Sequence, residues 1–162
     1  MNAPYREVEF PPVNLDIQTR DDGTIIMTPH DALDVGCTSV PAGLARQAEQ
    51  QPDKLHLAER PEPGADWVGV TFAQMKAQAD SFSQFLLDLG QEAGRPVLIV
   101  SGNSVAHAAA RYGAMGARVP VCPVSSNYGL LGVKGGFERL RHVMEMTRPA
   151  VVLAESAAFA EA

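Results

Sequence analysis

The sequence predicts an α/β fold with a mainly parallel sheet flanked by helices, preceded by a short β-rich extension. The run "PVLIV" at residues 96–100 has no polar alternation, which is typical of a strand covered on both faces. Two more apolar runs, "VPVCPV" and "AVVLA", follow it with helical patterns between them. The order strand, helix, strand, helix, strand favours right-handed crossovers and therefore a parallel sheet.

The first 37 residues predict a separate extension with short strands. "YREVEF" and "TIIMTP" each have the composition of a short strand, and "RDDGT" between them carries an Asp-Gly turn signal. Several prolines argue against any longer element in this segment. We therefore expect two parts, residues 1–37 and residues 38–162.

A helix and two strands are predicted next. "TSVPAGLARQAEQQPD" has Thr38 or Ser39 as N-cap, Leu44 on its apolar face and Pro52 after its end. "KLHLAER" and "DWVGVTF" then predict two strands, joined by the turn-rich "PEPGA".

A capping box of Thr71 and Gln74 begins the second helix, and Gly90 is placed to end it. Its predicted apolar stripe is Phe72, Met75, Ala79, Phe82, Leu86 and Leu89. The helix after "PVLIV" begins near Asn103 or Ser104, and its alanines and glycines would let it lie close to the sheet. Prolines in "VPVCPV" indicate a strand at a sheet edge, whereas "PAVVLAE" predicts a buried strand.

Composition narrows the class of partner. The net charge of −6 argues against nucleic acid and against an anionic membrane surface. Two cysteines outside any C-x-x-C pair, no signal-peptide core and no membrane-length apolar run predict a cytoplasmic protein. The four histidines lack metal-ligand spacing, and no Gly-x-nucleophile-x-Gly elbow is present, so we predict neither a metal site nor a catalytic residue.

Three short segments are candidates for binding, each with a simpler alternative. "SGNS" at residues 101–104 could hold an anion on backbone N–H groups, or Asn103 or Ser104 could only cap the helix. Ser125, Ser126 and Asn127 follow a strand in a predicted loop, where substrates often bind, although a polar connection has the same composition. Arg139 and Arg141 belong to a basic cluster that could meet a phosphate, or could simply be a solvated helix face.

The order of these motifs resembles the N-terminal region of AMP-forming acyl-CoA synthetases in the adenylate-forming ligase superfamily. "QQPDKLHLAER" is similar to the opening of that family, and the helix–strand succession from "WVGVTF" to "VPVCPVS" follows it. The closest resemblance is to feruloyl-CoA synthetases. The matching residues are Tyr5, Arg6 and Val8; Asp22, Gly23 and Thr24; residues 57–60; Trp67; residues 101–103; Pro123, Val124, Ser125 and Tyr128; and residues 140–142.

The resemblance implies the first subdomain of the ligase fold, incomplete over residues 38–162. A complete ligase would use ATP, Mg²⁺ and coenzyme A to convert a feruloyl-like aromatic acid into an acyl-adenylate and then a thioester. The phosphate loop and catalytic lysine of the family are not in this sequence. We therefore expect this chain alone to be inactive and to bind none of these cofactors. We also expect an exposed apolar face that meets the remainder of the ligase or forms a homodimer.

Some positions depart from the resemblance. Ser126, Asn127 and Gly129 stand where the feruloyl pattern favours Pro, Ala and Ser, and Arg118 stands where Gly is usual. The loop in "GLLGVKGGFERLRH" is longer than in the family. A stand-alone regulatory or small-ligand-binding module is the alternative function.

Overall fold

A computed structural model describes residues 9–10, 12–32, 36–90, 92, 94–130, 137–155 and 157–159. The chain divides into two compact units, Met1–Gly36 and Cys37–Ala162. The longer loop predicted near residue 132 lies outside the described residues.

The first unit contains a β-hairpin. Strand β1 (Leu15–Thr19) pairs antiparallel with β2 (Ile25–Pro29). The predicted Asp-Gly turn joins them, with Gly23 at φ 83° and the Thr24 N–H donating to Asp22 Oδ1. β2 confirms the strand predicted in "TIIMTP", and its partner is "LDIQT", a strand that the sequence analysis did not predict. Most of "YREVEF" lies outside the described residues, and Glu9 and Phe10 are not in a strand.

The second unit begins with a helix and a hairpin, as predicted. Helix α1 (Val40–Gln50) is capped by Ser39, whose Oγ accepts from the Ala42 N–H at 3.2 Å, and Leu44 is buried. Strands β3 (Leu55–Glu59) and β4 (Val68–Thr71) pair antiparallel.

Helix α2 (Phe72–Leu89) follows β4 directly and confirms the capping box. The Thr71 N–H donates to Gln74 Oε1, and the Gln74 N–H donates to Thr71 Oγ1. Gly90 ends the helix at φ 58°. Leu89, the last residue of the predicted apolar stripe, is 49% exposed, so the stripe is not buried over its whole length. Burial of a last-turn residue requires a neighbouring element, and periodicity within the helix carries no information about one.

Three parallel strands form the central sheet in the order β6-β5-β7, and this confirms the predicted parallel fold. The strands are β5 (Val97–Val100), β6 (Val121–Val124) and β7 (Val151–Ala154). β5 is buried throughout, and β6 is an edge strand among the described residues, as its prolines indicated. β7 was predicted to be buried, but Val152 is 49% exposed. β7 is the opposite edge strand among the described residues, and its more exposed side chains alternate along the strand, so one of its faces is less covered than the other.

Helix α3 (Val105–Gly116) packs on one face of the sheet. Ala110 and Ala114 lie in a core cluster with Val97 and Ile99. The small residues of α3 also face α2, which the sequence did not predict. A Cβ on Gly113 would lie 2.7 Å from Ala79 O, so the glycine serves contact between helices and not contact with the sheet.

The other face of the sheet is covered by two helices and a final 3₁₀ turn. They are α4 (Ser126–Leu130), α5 (Phe137–Thr147) and residues Ala157–Phe159. Leu140 and Phe159 pack there against Leu98 and Val100. The segment that forms α4 was predicted to be a loop, and this is wrong. Gly129, which has no side chain, lets this helix lie within contact of Val100 and Phe159.

Candidate functional site

The carboxyl ends of β5 and β6 form the candidate site. The connection from β5 runs through α3 on one face of the sheet, and the connection from β6 runs through α4 and α5 on the other. The two connections therefore diverge between adjacent strands. In parallel α/β sheets a ligand binds in the crevice that such a divergence opens.

The turn after β5 is held by buried polar contacts. Ser101 is only 4% exposed, and its Oγ donates to Gly102 O at 3.0 Å. His107 Nδ1 lies 2.7 Å from Ser101 Oγ and 3.1 Å from Gly102 O. Because the hydroxyl proton is used on Gly102 O, both contacts of the imidazole are those of an Nδ1–H donor. Ser104 Oγ caps α3 by accepting from the His107 N–H at 3.0 Å.

Two carboxylates accept hydrogen bonds from backbone N–H groups of this turn. Glu155 Oε2, just after β7, accepts from the Gly102 N–H at 3.0 Å. Glu59 Oε2, at the end of β3, accepts from the Val105 N–H at 2.6 Å. A negative charge is favourable at a helix N-terminus. Of the two alternatives for "SGNS", the structure therefore confirms the helix cap and assigns it to Ser104.

The sequence prediction missed Glu59 and Glu155, although a signal for both was present. The tripeptide "LAE" occurs twice, at residues 57–59 and 153–155, each time as a predicted strand ends. The partners are 46 and 53 residues away in sequence, so only the fold brings the carboxylates to one turn.

The predicted substrate-binding residues lie on the β6 side of the crevice. Ser125 and Asn127 are exposed, and Ser126 is half-buried at the start of α4. A Cβ on Gly129 would lie 2.8 Å from Val100 Cγ1, so α4 is fixed close to the end of β5. Ser125, Ser126 and Asn127 thus stand at the same sheet edge as residues 101–104, and their role in substrate binding stays a prediction.

The predicted cofactor-binding arginines do not converge. The Arg139 guanidinium lies 5.9 Å from the centre of the Tyr128 ring, across from α4. Arg141 is two residues further along α5, which turns it by about 200° around the helix. Both side chains are exposed, and a role in cofactor binding stays a prediction for each of them.

The described residues do not by themselves fit a nucleotide or a metal ion. The Gly102 and Val105 N–H groups already bond to Glu155 and Glu59, whose charges would repel a phosphate. Over the parts of the chain that the structure describes, no three His, Cys, Asp or Glu side chains are grouped to hold a metal. Among those same residues, no helix has the length and apolar character needed to cross a membrane.

Comparison with known proteins gives one family and several similar folds. The model of the family described as "AMP-binding enzyme" matches residues 44–162. The fatty acid AMP ligase of Legionella pneumophila superposes with a TM-score of 0.63 at 16% identity, over 72% of this chain and 19% of that one. A fatty acyl CoA synthetase of Mycobacterium tuberculosis superposes with a TM-score of 0.56 at 25% identity, over 75% of this chain and 22% of that one.

A third similar structure is a domain and not a whole enzyme. It is the inhibitor-bound N-terminal domain of FACL13 from Mycobacterium tuberculosis, with a TM-score of 0.57 at 25% identity, over 75% of this chain and 28% of that one. No curated protein sequence matches the chain. The matched region thus spans between a fifth and somewhat over a quarter of these solved chains.

Proposed function

The chain belongs to the AMP-binding enzyme family, and we propose that it is the N-terminal part of an adenylate-forming ligase acting on a carboxylic acid. The family match over residues 44–162 is the observation that carries this proposal. The parallel sheet flanked by helices, which solved acyl ligases share, supports it.

The reaction of the complete ligase is an acyl transfer in two stages. The acid takes the adenylyl group of ATP with release of pyrophosphate, and the thiol of coenzyme A then displaces AMP to form a thioester. Mg²⁺ would accompany the ATP. We propose an aromatic acid of the feruloyl type as substrate, supported by the motifs "SGN", "PVS" and "LRH" in their order along the chain.

This part of the ligase contributes one edge of a binding crevice and not the phosphate chemistry. The turn of residues 101–104 is held by His107, Glu59 and Glu155, and the two carboxylates disfavour a phosphate there. The exposed side chains of Ser125 and Asn127 remain available to a substrate. We therefore propose that the chain alone neither binds ATP nor forms an adenylate.

We propose that the exposed face of β7, which carries Val152, contacts the remainder of the ligase. The proposed location of the protein is the cytoplasm. Val152 is 49% exposed on an edge strand, and uncovered apolar edge strands favour association. In isolation the same face would form a homodimer. Sedimentation of wild type and Val152→Lys tests this: the substitution should abolish concentration-dependent association, and a wild type that stays monomeric contradicts it.

The function is tested with the protein made from the complete reading frame that contains this sequence. Pyrophosphate release that depends on ATP is measured with ferulate, 4-coumarate, benzoate and palmitate, followed by thioester formation with coenzyme A. We expect release with the aromatic acids and none from the 162-residue chain. Pyrophosphate release with palmitate and with none of the aromatic acids would support the ligase function and refute the aromatic substrate.

The alternative is a stand-alone ligand-binding module. A reading frame whose full product releases no pyrophosphate with any of these acids, while the chain folds, would refute the ligase and favour the module.

A further inference from the structure

A cavity beside α1 is separate from the crevice at the end of the sheet. It lies within the Cys37–Ala162 unit and has a volume of about 580 Å³, within the range of small-molecule sites. Its walls come from α1, β3, the start of α2 and α3, and none of its lining residues belongs to the turns after β5 or β6. Its exposed lining is mostly apolar, with Leu44 and Val40 on the α1 side.

Three rings from three different elements meet at this cavity. The His56 ring lies 4.4 Å from the Phe72 ring, with a tilt of 37°, and 5.8 Å from the Tyr112 ring. The Tyr112 hydroxyl and His56 Nε2 are hydrogen-bonded at 3.3 Å. All three side chains are half-buried, so each is packed on one side and open on another. Burial lowers the pKa of His56, which favours the uncharged imidazole.

The polar groups around the rings are mostly used within the chain. Ser39 Oγ caps α1, and the Gln47 amide oxygen accepts from the Gln51 amide. His56 Nδ1 has no hydrogen-bond partner among the described residues, which leaves this atom available to a ligand beside the apolar walls. Aromatic rings that meet in offset or tilted geometry stabilise a further ring in the same way.

We propose that this cavity binds a small uncharged aromatic molecule of one or two fused rings, stacked against Phe72 and Tyr112 with a hydrogen bond to His56 Nδ1. The matching of an apolar wall, neutral rings and one polar atom selects this class. Arg46 also lines the cavity but already has a partner within the chain, and the mostly apolar walls disfavour burial of an anion.

Gly43 provides a matched pair of variants, because it lines the cavity in the middle of α1. A Cβ there would meet only Cys37 Sγ, at 3.6 Å, which is ordinary contact. Gly43→Leu extends a side chain into the cavity, whereas Gly43→Ala adds a methyl group and leaves the cavity open. Both replacements favour the helix over glycine, so they differ mainly in how much of the cavity they fill.

The experiment follows amide chemical shifts of the 162-residue chain while indole is added, in the presence of reductant. Cyclohexanol is the non-aromatic probe, and indole-3-acetate has the same rings with a negative charge. We expect indole to cause saturable shifts in α1, near His56 and near Tyr112, and the other two probes to cause weaker shifts. The indole shifts should be lost in Gly43→Leu and kept in Gly43→Ala. Phe72→Leu should weaken the binding of indole more than the binding of cyclohexanol.

Several results would overturn the proposal. They are the absence of saturable indole shifts, shifts located elsewhere, equal or stronger binding of cyclohexanol or indole-3-acetate, and unchanged indole binding in Gly43→Leu. Cavity shifts that depend on protein concentration and not on indole would show that a second copy of the chain fills the space. None of these outcomes depends on ligase activity, which the chain alone is not expected to have.

Discussion

Gly113→Ala should destabilise the protein although alanine is the better helix former. The Cβ of alanine would lie 2.7 Å from Ala79 O and 2.9 Å from Phe82 Cβ. Ordinary contact begins at 3.4 Å, so the contact with the carbonyl oxygen is 0.7 Å too short. The obstacle is backbone of α2, and no change of side-chain rotamer can remove it. The two helices must therefore move apart, which also disturbs the Ser83 hydroxyl that donates to Gly113 O at 2.7 Å.

Two opposing effects decide the magnitude. Replacing an interior helical glycine by alanine stabilises a helix by about 1 kcal/mol. Overpacking a well-packed interface costs about 1–3 kcal/mol, and a rigid backbone neighbour places Gly113 at the upper end. The net loss in free energy of unfolding is about 1–2 kcal/mol, which lowers Tm by about 2–8 °C in a chain of this size.

The assay is urea unfolding followed by far-UV circular dichroism, with thermal melts of the same samples. Gly43→Ala is the control, because its Cβ has room and should stabilise α1 by about 0.5–1 kcal/mol. Gly113→Leu should lose more stability than Gly113→Ala, because a larger side chain enters the same gap. If Gly113→Ala were as stable as wild type while Gly43→Ala behaved as expected, the close approach of α2 and α3 would be refuted.

Three further substitutions test local features. Arg118 has a φ of 58°, a backbone conformation in which any residue with a side chain is strained. Arg118→Gly should therefore raise the free energy of unfolding, measured with urea, by about 0.5–1 kcal/mol, whereas Arg118→Ala should not raise it. The pKa of His56 is lower in the folded chain than its ordinary value, so the unfolded chain binds the proton first as the pH falls. The wild-type protein should therefore lose stability below about pH 6.5, and His56→Gln should lose less stability over the same pH range. Arg95 donates hydrogen bonds to the carbonyl oxygens of Arg148 and Pro149, each at 2.9 Å. Arg95→Ala should therefore lower the free energy of unfolding by about 1 kcal/mol, measured by urea unfolding, and Arg95→Lys, which keeps the charge, should lower it less. Equal losses in the two variants would mean that the forked contact is unimportant.

Local signals in the sequence were sufficient for much of the fold. The capping box of Thr71 and Gln74 was predictable because both partners lie within one helical turn. The buried strand β5 was predictable because coverage on both faces removes all polar residues from it. Exposure at Leu89 and Val152 was not predictable, because an apolar side chain has the same sequence signature whether or not a neighbour covers it.

The candidate site was less predictable than the fold. Its edge of the sheet followed from strand order, and Ser125, Ser126 and Asn127 do lie there. The carboxylates of Glu59 and Glu155 decide what the turn after β5 can bind, but each acts on a backbone group far away in sequence. Short-range spacing rules carry no information about such pairs.

Gly129 makes one of the departures from the feruloyl pattern a coupled change. That pattern has serine at this position, yet a Cβ here would lie 2.8 Å from both Val100 Cγ1 and Phe159 Cδ1. A sequence with serine at 129 can keep α4 in place only if the side chains at both 100 and 159 are smaller or shifted, or if α4 lies further from the sheet. The three positions should therefore covary among related ligases, and a graft of the feruloyl loop into this chain should be tolerated better when residues 100 and 159 are both made smaller.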